Sequence, residues 1–294
     1  MKQISAIQLG ATLFVPSTHK NLKEIATGLK YTTLRSLVID LEDGISDTSR
    51  RLGLKQLEKI LEVKQPNQLL RFIRPANPVM LEELLKKDYI SNIDGFVLPK
   101  FGLDNAQIYL GQLKESNFSF MPSIETYELF DVTILKQIRE LLIPFKHRIP
   151  LIRFGLEDMF RQLKIRRDCS MSIYDMATPS WVVGQLLGLF KPFDFDVSAP
   201  VYRCFDDEQG FKNEVERDLQ EGLISKTVIH PNQVKWLESG YQVNETDLAD
   251  AKALLATDLA VIVQQGNMAE IPTQSPWARQ ILQRAELFGI KQIS

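Results

Sequence analysis

Apolar positions fall into short runs, each followed by a stretch with helical spacing, and this alternation recurs along residues 11–230. The runs 11–15 (ATLFV), 34–40 (LRSLVID), 69–74 (LLRFIR), 95–99 (GFVLP), 119–124 (SFMPSI), 150–154 (PLIRF) and 226–230 (KTVIH) predict strands, and residues 193–201 contain another. After the first run, Leu22, Ile25, Ala26 and Leu29 recur on one helical face. Helices are further predicted over 47–63, 79–89, 104–114, 126–142, 174–190 and 208–221. Continuously apolar strands alternating with helices imply a parallel sheet buried on both faces. Eight such units favour a closed (β/α)8 TIM barrel over an open sheet, and the absence of a GxGxxG after the first strand argues against a dinucleotide-binding fold. The expected division is a barrel domain over 1–240 and a C-terminal helical arm over 241–294, the arm made of helices 245–265 and 276–288 joined at 266–272.

Composition narrows the picture. The 294 residues, 44% of them hydrophobic, supply enough core for one barrel of roughly 250 residues. Lysine and arginine total 35 against 37 acidic residues, so no basic excess points to nucleic acid or to an anionic membrane. No apolar run reaches about 18 residues, so no transmembrane helix is expected, and the first ten residues lack a secretory pattern. Cys169 and Cys204 are too few for a disulfide framework and too far apart for a CxxC site; a reducing, cytoplasmic setting is expected.

Chemistry in a TIM barrel collects at the C-terminal ends of the strands. There the chain carries Asp40, Glu42 and Asp43 after the second run, Arg74 at the end of the third, Lys100 after the fourth, Glu125 after the fifth, Gly155-Leu156-Glu157-Asp158 after the sixth and His230 at the last. Glu125 and Asp158 are hard oxygen donors suited to Mg2+. Arg74 can hold a substrate carboxylate by two hydrogen bonds, which a lysine does less well. A metal there polarises a carbonyl and stabilises an enolate. Each residue also has a plainer use. Asp43, followed by Ser46 and Asp47, suits a helix cap; Glu157 and Asp158 suit a first helical turn; Lys100 suits a solvated rim; and His230, before Pro231, suits a structural hydrogen bond.

The motifs at these positions carry a family resemblance. LFVPSTHKNLKEIATG (13–28), VIDLEDGI (38–45), FIRPAN (72–77), VLPKF (97–101), SIET (123–126), FGLEDM (154–159) and DDEQGF with KTVIHPNQV (206–211, 226–234) occur in the order and spacing found in citrate lyase β-subunits. The chain resembles the citrate lyase β-subunit and malyl-CoA lyase family of the HpcH/HpaI aldolase superfamily, over roughly residues 11 to 240. The resemblance implies a (β/α)8 barrel, usually a trimer, with Mg2+ on Glu125 and Asp158 and a substrate carboxylate on Arg74. The expected activity is carbon–carbon bond cleavage or formation on a small carboxylated substrate, either a CoA thioester or a free keto acid. In malyl-CoA lyase-like members an Asp in a Gly-x-Met-x-Asp-x-Pro segment reaches a neighbouring site; in GNMAEIP (266–272) Glu270 stands at that position. Its extra methylene shifts the carboxylate by about a bond length, so Glu270 either keeps an acid–base role with adjusted geometry or is a solvated turn residue.

The chain departs from the family in LKYTTLRS (29–36), in 161–181 with its basic cluster Arg161, Lys164, Arg166 and Arg167, and in SAPVYRCF (198–205). The basic cluster suits either a solvated helix face or an anion. These departures mark a divergent subgroup and bear more on CoA than on the metal. Two other readings of the site are an aldolase that releases pyruvate or oxaloacetate without CoA, and a silent ligand-binding barrel that serves as a subunit or scaffold.

Overall fold

The computed structural model describes residues 3–62, 68–264 and 266–292; Val63 and Gln265, at the ends of two predicted helices, lie outside them. The chain divides into two compact units, Met1–Val234 and Lys235–Ser294. The first holds the parallel strands β1 (Ala11–Pro16), β2 (Ser36–Asp40), β3 (Leu70–Arg74), β4 (Gly95–Leu98), β5 (Ser119–Ile124), β6 (Arg153–Phe154) and β7 (Lys226–Val228), in the order β6-β5-β4-β3-β2-β1-β7.

The expected strand within 193–201 narrows to two bridges, and these close the ring. Ile152 pairs with Val197 and Ala199 with Lys226, both parallel. Ser198 N donates to Ile152 O at 2.9 Å and Ala199 N to Ser225 O at 2.7 Å. Pro200 follows at once, and its missing N–H ends the ladder. The fold is therefore a TIM barrel, with seven strands and one two-bridge stave.

Register decides which side chains share a layer. Pro16 is level with Asp40, and Asp40 with Arg74, so these side chains leave the barrel wall on the same face. Ser123 is level with Arg153, and Thr12 with both Ser36 and Thr227. Outward positions such as Leu13, Leu37 and Phe96 are buried under the surrounding helices.

Cys169 and Cys204 are joined by a disulfide, which corrects the expectation drawn from cysteine number and spacing. Passage through the helix Ala177–Phe190 and the bridged stave returns Cys204 to Cys169, with their Cα atoms 6.0 Å apart.

The second unit also differs from expectation. The helix predicted over 245–265 stops at Ala256. The β-branched run that follows forms β8 (Val261–Gln264), antiparallel to β9 (Asn267–Glu270), turning at Gly266 with φ 76°, a backbone region open to glycine. The last helix starts earlier than expected, at Ile271, with Pro272 in its first turn, where the missing N–H costs nothing. Val243, Leu248, Ala251, Leu254, Ala269, Ala278 and Ile281 form this unit's core. Among the described residues no helix is long and apolar enough to cross a membrane.

Candidate active site

A cavity of about 510 Å³ opens at the C-terminal ends of the strands, among Asp40, Arg74, Glu125 and Arg153. Its lining positions step by two along the strands, as in Phe14 and Pro16 or Ser123 and Glu125, the period of an inward strand face.

Asp40 organises the rim. Its carboxylate accepts Arg74 Nε at 2.8 Å and Nη2 at 2.7 Å, and also the backbone N–H groups of Glu42 at 3.0 Å and Gly44 at 2.9 Å. The bidentate pair follows from the shared register of Asp40 and Arg74. The tight turn requires glycine at 44, because a Cβ there would lie 2.4 Å from Asp40 Oδ2. The turn aims Glu42 inward, where Oε2 lies 3.1 Å from Arg74 Nη1 without an aligned hydrogen bond. Lys100, held at φ 46° just after β4, pairs through its amine with Glu42 and, at 3.3 Å, with Asp43.

Glu125 is 1% exposed. Burial pushes its carboxyl up to about 8; Glu42 and Asp158 push the same way, while Arg74 and Ser123 pull against them. Burial also raises Glu42, against Arg74 and Lys100. Burial would lower Arg74, but the hydrogen bonds and charge of Asp40, with Glu42 and Glu125, hold it above its ordinary value. Asp43 is exposed, and Lys100 and Arg74 outweigh its partial desolvation and lower it.

Glu42, Asp43 and Glu125 each bring one oxygen within 4.8 Å of the others. Three hard donors at this spacing, one of them with an unaligned buried oxygen, fit a divalent cation that takes carboxylate ligands. Asp158 faces the same cavity from the first turn of the helix Leu156–Leu163, its carboxylate held 2.6 Å from Arg161. Gly155 and Leu156 line the wall, and Gly155 lets the backbone pass Glu125, whose Cγ would be 2.9 Å from an added Cβ. Glu157 also lines the cavity and sits 3.8 Å from Arg203.

One cavity thus gathers Asp40, Asp43, Arg74, Glu125, Gly155, Leu156, Glu157 and Asp158, with Glu42 and Lys100 bound to its rim. Glu270 belongs to the second unit, exposed at the end of β9, where it accepts Thr273 Oγ1 at 3.2 Å. His230 stacks on Phe205 at 4.9 Å and accepts Asn232 N at 3.3 Å.

Two features went unread in the sequence. Arg153, within the apolar run PLIRF, reaches the cavity floor; an arginine inside a buried strand was the available signal. Lys226 is fully buried, 2.8 Å from Asp218 and 3.2 Å from Glu214. Glu214 also pairs with Arg167 at 2.5 Å, so Arg167 is no solvated helix residue: the helix ends at Leu163, and Lys164 turns the chain at φ 56°.

A family model described as C-C bond lyase of the TIM-barrel fold matches residues 3–290, and the chain belongs to that family. Among solved structures, the chain is similar to CitE from Mycobacterium tuberculosis in complex with magnesium, acetoacetate and coenzyme A, at 18% identity and a TM-score of 0.70 over 96% of this chain and 99% of that one. It is also similar to a citrate lyase from Burkholderia xenovorans, at 14% identity and a TM-score of 0.76 over 99% of this chain and 95% of that one. A citrate lyase β-subunit from M. tuberculosis complexed with oxaloacetate and magnesium matches at 17% identity and a TM-score of 0.61 over 80% of this chain and 98% of that one. No curated protein matches.

Proposed function

We propose that the protein is a Mg2+-dependent carbon–carbon lyase of the citrate lyase β-subunit kind, acting on a keto acid or acyl thioester. The observation that carries this reading is the buried Glu125, gathered with Glu42 and Asp43 and open to a cavity beside Arg74. Support also comes from the magnesium, oxo acids and coenzyme A in the similar M. tuberculosis structures.

Glu125 and Asp158 are the residues we assign to the cation, with Glu42 and Asp43 beside them. When bound, Mg2+ supplies a Lewis acid for the negative charge that develops on the substrate carbonyl. Asp40 occupies Nε and one Nη2 proton of Arg74; Nη1 and the second Nη2 proton can then take a substrate carboxylate. Lys100, held protonated by Glu42, limits the negative charge at the rim. Glu125 keeps its proton in the free protein and gives it up as positive charge arrives. Gly155 and Leu156 supply the wall against which the substrate lies. The reading further assigns a homotrimer in which Glu270 serves a neighbouring copy as acid–base residue, tested by sedimentation and by Glu270→Gln.

Calorimetric titration with Mg2+ and oxaloacetate or pyruvate tests the reading. Metal-dependent binding that disappears in both Glu125→Ala and Asp158→Ala supports it, and a thioester screen then decides whether CoA is used. Binding absent from wild type, or unchanged in both variants, overturns the metal site. A CoA-independent aldolase turns over free keto acids in the same assay; a silent barrel binds them without turnover.

A further inference from the structure

Arg153 lines the cavity, and the lyase reading leaves it without a task. Its side chain rises from β6 into the barrel interior and is 2% exposed. Nη1 donates to Thr227 Oγ1 at 3.0 Å and Nη2 to Thr12 Oγ1 at 2.8 Å. Nε has no hydrogen-bond partner, and among the described residues no carboxylate forms an ion pair with the group. Burial pushes the guanidinium down to about 9, and the like charge of Arg74 adds to the shift. The two arginines lie against one ring, with their Cζ atoms 5.3 Å (Arg74) and 5.5 Å (Arg153) from the Phe14 centroid.

A buried guanidinium without a counter-charge is costly to keep. Thr12 and Thr227 hold it in place but cannot neutralise it. The remaining open direction is the cavity that Arg153 itself lines.

We infer that Arg153 is a second anion-binding residue, which takes an anionic group at the end of the substrate opposite the metal-facing carboxylate. The substrate is then a 2-oxo acid, or its condensed form, that bears a terminal carboxylate or phosphoryl group. Such a group completes the ion pair that the free protein lacks. The inference takes from the lyase reading only the identity of the end held at Arg74 and the metal.

The test compares pyruvate, oxaloacetate and phosphonopyruvate, which differ only in the group on the methyl carbon: none, carboxylate or phosphonate. Titrations in Mg2+ on wild type should show one of the two acids with the added anionic group binding at least about tenfold more tightly than pyruvate, and which one wins names the group. Arg153→Met should erase that preference and change pyruvate affinity by less than about threefold. In the absence of ligand and metal, Arg153→Met should also raise Tm, since an uncompensated buried charge has been removed. Equal affinities in wild type, or equal weakening of all three acids in Arg153→Met, would overturn the inference. If no acid binds in a metal-dependent way, the lyase reading fails and thermal unfolding decides this one. Succinate or inorganic phosphate must then protect wild type but not Arg153→Met, and a lower Tm for ligand-free Arg153→Met marks Arg153 as a structural residue only.

Discussion

The barrel unit contains two clusters of buried charge, and they are built on opposite principles. Around Lys226 the account balances: the buried Arg167 and Lys226 face the buried Glu214 and Asp218, and Tyr174 closes the set with a 2.6 Å bond to Asp218. Around Glu125 it does not. Among the described residues neither the buried Glu125 nor the buried Arg153 forms an ion pair, and both line the cavity. The perturbed carboxyls follow the same division. Burial and Glu214 lift Asp218 to about 6 against Lys226 and Tyr174, whereas Glu125, further from balance, reaches about 8. A balanced buried cluster holds elements together; an unbalanced one beside a cavity is poised for a ligand that carries the missing charge.

That contrast can be broken in order of effect. Lys226→Met strands Glu214 and Asp218 and should cost about 3–5 kcal/mol of unfolding free energy, read by denaturant titration, while Mg2+ and keto-acid binding in the surviving folded fraction stays within about twofold. Next, Cys204→Ser opens a crosslink between residues 35 apart in sequence, and the loss of loop constraint should cost about 3–4 kcal/mol; reduction of wild type should reproduce the shift. On the other side of the contrast, Asp158→Asn should weaken Mg2+ binding by about 10–100-fold yet change stability by less than about 1 kcal/mol. An equal loss of stability in Asp158→Asn and Lys226→Met would dissolve the distinction between the clusters.

The smallest effect is the most specific. The folded chain holds the Glu125 proton more tightly than the unfolded chain, so the stability this proton adds is full below the ordinary value of 4.5 and is lost as pH rises to about 8. Metal binding at pH 7 must displace it. Calorimetry in buffers of different ionisation enthalpy should register close to one proton released per Mg2+ in wild type, and far less in Glu125→Gln. For Asp218 the sign is the same but the window is 3.8 to about 6, and Mg2+ should leave it unchanged.

Much of this was legible in the sequence because barrel strands announce themselves as apolar runs and their last polar residue faces the rim. Asp40, Arg74 and Glu125 were found in this way, and the register of β2 and β3 explains why the first two pair. Arg153 and Lys226 lie ahead of the C-terminal strand ends and carry no such mark. Arg153 points inward and Lys226 outward to the helix Glu208–Gln220, a difference that no composition rule carries. The sequence pattern places β8 in a helix and β9 in the joint after it, because alanine and leucine dominate the approach and outweigh the β-branched Val261-Ile262-Val263. The disulfide depends on a return of the chain that spacing alone does not disclose.

Closure of the barrel also sets a timetable for synthesis. Gly10, just before the first strand, and Ser225, just before the last, are hydrogen-bonded across 215 residues of chain. At about 5–20 residues per second, the outer edge of β1 leaves the ribosome roughly 10–40 s before its partner exists. Throughout that interval an apolar strand presents unpaired N–H and C=O groups to whatever else is being made nearby. Yield in the cell should therefore follow the supply of holding chaperones and the pace of translation, and a circular permutant that brings β7 next to β1 early should depend less on both.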